Sequence, residues 1–137
     1  MNGQPLGSTG AGTPITVAPE LQTRATTATA SSEGDWLCAW CYHAVANERS
    51  RFCFNGKDEF KFTNPEGIRF EIITFSETSG CHQAGVPTLE HTWFPGHAWS
   101  YCHCAQCGQQ LGWYFTGQSD FAGLIKGRVI QALPLRN

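Results

Sequence analysis

Charge is scarce in this chain: Lys, Arg, Asp and Glu make up 15% of its 137 residues, and methionine occurs once. No run of 18 apolar residues occurs anywhere, which excludes a membrane-spanning helix. The formal net charge of -2 and the pI near 6.2 argue against nucleic acid or anionic lipid as the main partner. Internal repeats and heptads are absent too, so collagen and coiled coil are out. Residues 1–32 lack still more. All 17 Phe, Trp and Tyr, all seven Cys and all five His lie at or after Trp36, and 17 of the first 32 positions are Gly, Pro, Ser or Thr. Such a segment has too little apolar surface to offset the entropy of ordering it, so a disordered tail is expected over 1–32. It also lacks the basic start and apolar stretch of a secretory signal, which predicts a cytoplasmic chain.

What is present is concentrated in one domain over 33–137, about 105 residues, small enough that its core gains from a staple. Four of the seven cysteines form two pairs, Cys38 with Cys41 and Cys104 with Cys107. Two CxxC knuckles supply the four thiolates that zinc takes in a closed structural site, so one structural Zn2+ is a better reading than a disulfide framework. The neighbours Cys102 and His103 offer a rival ligand set, but Cys104 keeps the CxxC spacing followed by Gly108. Cys53, Cys81 and Cys102 are expected to be small buried hydrophobes.

The coarse secondary structure is mainly antiparallel β. RFCFNGKDEFKF reads as a hairpin, with Phe52 and Phe54 on one face, Asn55 and Gly56 in the turn, and Phe60 and Phe62 returning in register. After a turn at Asn64–Gly67, IRFEIITF over Ile68–Phe75 is a strand that extends the hairpin to three. Ser76–Pro87 reads as a Gly-containing loop. Trp99–His103 alternates large and small side chains, and Leu111, Trp113 and Phe115 fall on one face of a further strand. The terminal FAGLIKGRVIQALPL fits neither template cleanly, although Gly123 and Gly127 favour a strand after a turn.

Trp93, Trp99 and Trp113 crowd around the second knuckle, with Phe115 two residues beyond the last. Such a cluster either caps a small core or lines a pocket, and the FPGHAW turn holds two of the three on a loop. A cationic ammonium in an aromatic box would want a carboxylate, and Glu90 is the acid close by in sequence. A neutral ring would be held by dispersion and desolvation instead. His97 is expected to be an exposed loop histidine.

The segment EHTWFPGHAWSYCHCAQCGQQLGWYF, with LCAWC upstream and NPEG between, resembles the cereblon thalidomide-binding domain family, the CULT domains, and looks like their single-domain bacterial form. The resemblance runs from about Trp36 to Pro134. It implies a β-tent fold, two antiparallel sheets pinned by a four-cysteine zinc, and a tri-tryptophan cage for cyclic imides. By matching positions, Trp93, Trp99 and Trp113 are the walls, Phe115 the floor and Asn64 a rim residue, with the backbone at His91 and Trp93 reading the imide edge. Glutarimide, thalidomide-type ligands, uracil-like rings and cyclic-imide protein C-termini are the ligands implied. Ubiquitin-ligase partners are not carried over, because nothing matching the other domains of the eukaryotic receptor is present. The domain is accordingly expected to bind and not to catalyse. The alternative is an enzyme like the B-type methionine sulfoxide reductases, which share the fold and need a reactive thiol at the pocket; Cys102 beside His103 is the candidate.

Overall fold

The computed structural model describes residues 33–132; the tail expected over 1–32 lies outside them. Nine strands and two 3-10 turns make up the described chain. They are β1 (Asp35–Cys38), β2 (Ala44–Asn47), β3 (Glu59–Thr63), β4 (Arg69–Phe75), β5 (Cys81–Thr88), β6 (Ala98–Cys104), β7 (Gln110–Thr116), β8 (Phe121–Ile125) and β9 (Val129–Gln131), with the turns at Glu48–Ser50 and Lys126–Arg128. A small antiparallel sheet has the order β2-β1-β9, and a six-stranded antiparallel sheet the order β3-β4-β8-β7-β6-β5. This is the β-tent expected: two antiparallel sheets with four cysteines clustered between them.

The larger sheet is covered on both faces, which explains why its central strands read as unbroken apolar runs. Successive side chains of a strand point to opposite faces. Thus Ile73 and Leu124 join Trp36, Val45, Phe75 and Cys102 in one core, while their neighbours Ile72 and Ile125 join Phe94, Phe115 and Phe121 in a second. At its centre β7 and β8 approach so closely that a Cβ on Gly112 would collide with the Gly123 carbonyl oxygen. The glycine before Trp113 is therefore a packing requirement, and it fixes the strand that carries Trp113 and Phe115.

Three expectations are corrected. The Asn55-Gly56 turn forms, with both residues at positive φ and reciprocal Phe54–Lys57 backbone bonds, as a type I′ turn should. Its arms do not pair further. Phe52 bonds to Thr74 and Glu59 pairs with Ile73, so both arms lie beside β4, and residues 53–58 are an excursion from one edge strand. Ladder bonds to β4 outcompete those of an isolated hairpin, which is marginal in water. Secondly, much of the expected loop at Ser76–Pro87 is β5, an edge strand paired with β6 and bulged near Gly85. Thirdly, Leu111 leaves the face of Trp113 and Phe115. The β6–β7 register steps from Cys102↔Gly112 to His103↔Gln110, a bulge that sends Leu111 into the core with Cys102 and Cys104. The ambiguous C-terminal segment resolves into β8, a 3-10 turn and β9.

Candidate functional site

The two cysteine pairs meet where β1 and β6 end. The sulfurs of Cys38, Cys41, Cys104 and Cys107 all lie within 4.8 Å of one another, with Cys38–Cys107 and Cys41–Cys104 contacts of 3.6 Å. A tetrahedral zinc with Zn–S bonds of about 2.3 Å needs sulfur–sulfur edges of about 3.8 Å, so the donor set fits that metal. The knuckles are near copies. In each, the second residue after the leading cysteine donates its N–H to that cysteine's sulfur at 3.4 Å, from Trp40 to Cys38 and from Gln106 to Cys104. In each, the residue after the second cysteine bonds back to the first cysteine's carbonyl from a left-handed conformation: Tyr42 at φ 64 and Gly108 at φ 83.

The crowding of sulfurs splits their proton affinities. Donation from the Cys38 and Cys41 thiols, then from backbone N–H groups, holds Cys104 well below the usual thiol range. Cys38 is pushed up to about 12, chiefly by its contact with Cys104, and Cys41 is raised by its contacts with Cys104 and Cys38. One thiolate is favoured and further ones are resisted, which is the arrangement a divalent cation relieves. Cys102 is not part of this set. It is fully buried, near Cys81, Thr78 and Tyr114. His103 instead faces His82, with ring centroids 5.8 Å apart. Among the other thiols, Cys53 is exposed and not buried as expected, because it sits in the excursion that leaves the edge strand.

A pocket of about 360 Å³ opens on the other face of the large sheet. Asn64, His91, Trp93, Trp99, Trp113 and Phe115 all line it. The three indoles are half-buried and Phe115 is almost wholly buried, so they belong neither to the deep core nor to the open surface. Trp93 stacks on Phe62 at 4.8 Å and meets Trp113 edge-on at 4.9 Å; Trp113 in turn meets Phe70 edge-on at 5.2 Å. Trp99 on β6 stands edge-on to Tyr101 and donates its Nε1–H to the Glu90 carbonyl at 2.8 Å, tying strand to loop.

The loop between β5 and β6 is held from beneath. Phe94 is buried among Phe54, Phe60, Phe62, Phe115 and Phe121, all edge-on. The Thr92 hydroxyl donates to the His97 carbonyl at 2.6 Å. His97 is itself a correction: it is 5% exposed, its Nδ1 lies 3.0 Å from the Pro95 carbonyl oxygen, and its ring packs on Phe54 and Phe121. It is a packing residue of the loop. His91 adopts φ 59, uncommon for a residue with a side chain. Among the described residues neither the His91 carbonyl nor the Trp93 N–H finds a protein partner.

Sequence reasoning did not find Phe70, Tyr101, Gln110, Glu66, Ile125 or Arg128, which also line the pocket. Tyr101 was within reach, since it shares a strand face with Trp99, and so were Glu66, in the turn of Asn64, and Gln110, on the strand of Trp113; Phe70, Ile125 and Arg128 come from other elements and carry no local signal. Among the described residues no cysteine lines the pocket, so the thiol that a sulfoxide reductase would need there is not supplied.

No protein-family model matches the chain. Over 79 residues it is 33% identical to protein cereblon of Gallus gallus and 38% identical to that of Xenopus tropicalis, covering 53% of this chain and 18% of each relative. Against protein cereblon of Drosophila willistoni it is 29% identical over 90 residues, covering 64% of this chain and 15% of that protein. The chain thus spans less than a fifth of the length of these curated relatives. The similarity supports a cereblon-related domain, and the four-cysteine cluster fits one stabilised by zinc.

Proposed function

We propose that this domain is a zinc-stabilised receptor for cyclic imides, with Trp93, Trp99 and Trp113 as the walls of the binding cage and Phe115 as its floor. The observation that carries the reading is the unpartnered pair of backbone groups, the His91 carbonyl and the Trp93 N–H, in a pocket lined by three half-buried indoles. An imide presents acceptor, donor and acceptor along one edge. Its N–H can donate to the His91 carbonyl, and one of its carbonyls can accept from the Trp93 N–H, while the methylenes lie against the indole faces. Asn64 contributes to the rim through its turn, where its Oδ1 accepts from the Glu66 and Ile68 N–H groups.

Hydrogen bonding orients such a ligand and ring burial supplies most of the attraction. At about 0.7 kcal/mol per heavy atom, glutarimide would bind with a dissociation constant on the order of tens of micromolar. A tryptophan-fluorescence titration with glutarimide, N-methylglutarimide and choline tests the reading. Glutarimide is expected to bind and its N-methyl derivative to bind at least about tenfold more weakly, since the ring is kept and the donor deleted. Trp99→Ala should lose binding while retaining zinc. Equal binding of the N-methyl compound would remove the edge-reading role of His91, and binding of choline in preference to the imide would make the pocket a cation reader.

A further inference from the structure

The pocket, at about 360 Å³, is larger than one six-membered ring requires, and its lining is not aromatic alone. Besides the indoles it is lined by Tyr101, Gln110, Ile125 and Arg128, among others. Arg128 closes the 3-10 turn between β8 and β9, and its carbonyl accepts from the Ala39 N–H at 3.0 Å, so the first metal knuckle fixes its backbone. The guanidinium is half-buried and donates one bond, from Nη1 to the Gln110 carbonyl at 2.9 Å. That leaves four of its five N–H donors without a protein acceptor. Among the described residues no carboxylate comes within 4.0 Å of it; the ion pairs made there by arginine and lysine are those of Arg51 and Lys126. Glu66 is the acidic residue in the pocket lining, exposed on the Asn64–Ile68 turn and unpaired with Arg128. Burial lowers the guanidinium's proton affinity with nothing charged to offset it. A half-buried cation with free donors, in the lining of a pocket walled largely by aromatic side chains, is a place where a ligand's anion completes the structure.

We propose that Arg128 is an anion subsite of this pocket, and that the ligands taken best are cyclic imides carrying a carboxylate on a short tether from the ring. This rests on the imide reading of the cage and names the class of imide it selects. The planar guanidinium can hold a carboxylate through two parallel N–H···O bonds without giving up its bond to Gln110.

The test compares two nearly isosteric ligands, one anionic and one neutral at the terminal group: 3-(succinylamino)glutarimide, which ends in a carboxylate, and its terminal amide. Calorimetric titration of the zinc-loaded full chain is expected to show the acid binding about tenfold more tightly than the amide, an advantage that shrinks as salt is raised. In Arg128→Gln, checked for zinc content and cooperative unfolding, the ratio of the two affinities should fall to about one. Taking the ratio within each variant cancels any general weakening of the pocket. Equal binding of acid and amide by the parent, or a preference that survives in Arg128→Gln, overturns the subsite. If plain glutarimide also fails to bind the parent, the cage reading falls with it; if glutarimide binds and the preference is missing, the subsite alone is wrong.

Discussion

Replacing Tyr42 by glycine should stabilise this domain, and replacing Gly108 by alanine should destabilise it by a similar amount. The two residues occupy the same place in the two metal knuckles, immediately after the second cysteine, and both are left-handed, at φ 64 and φ 83. An L side chain in that conformation costs about 1–2 kcal/mol. Gly108 avoids the cost, and a Cβ there would meet nothing within 4 Å, so the alanine is penalised by its backbone alone. Tyr42 bears the cost, and with 65% of its surface exposed it has little packing to lose. Glycine gives back roughly 0.4–1 kcal/mol through the added freedom of the unfolded chain, leaving a net effect of about 1 kcal/mol in each direction. For a domain of about 100 residues that is a shift in Tm of about 4–8 °C, upward for Tyr42→Gly and downward for Gly108→Ala. Thermal unfolding followed by circular dichroism, with zinc in equal excess, measures both. Shifts of the same sign in the two variants would refute the claim that the knuckles are conformational copies differing in one strained residue.

Zinc removal is expected to be more severe. With the metal at 1,000 times its dissociation constant, binding contributes about 4 kcal/mol to the folded state, so stripping it with a chelator should lower Tm by at least about 16 °C. An unchanged Tm, with metal loss verified by elemental analysis, would show that the cluster is not a staple. Gly112→Ala should cost about 3 kcal/mol or more, because the added methyl meets backbone of β8 that no side-chain rotation can clear. A denaturant midpoint within error of the parent would mean that β7 and β8 can separate there without loss.

Much of this protein was legible in the residues themselves, wherever the signal is local. A CxxC spacing already places two thiolates on one turn, so Cys38, Cys41, Cys104 and Cys107 could be chosen before any fold was known. β-Branched and aromatic composition marked the strand around Ile72 and alternation the one around Tyr101, and the Asn55-Gly56 pair dictated its own turn because both residues tolerate positive φ. Tertiary structure decided whatever depends on a partner far along the chain. The arms of the Asn55-Gly56 turn were taken by β4, and Cys81–Thr88 became a strand because β6 offered it a ladder. One bulge turned Leu111 to the opposite core, and His97 was drawn in by Phe54 and Phe121. Arg128 reached the pocket through a turn anchored on the first metal knuckle. Backbone hydrogen bonds and buried contacts between distant segments outweigh local preference, and a local pattern carries no record of which distant segment will supply them.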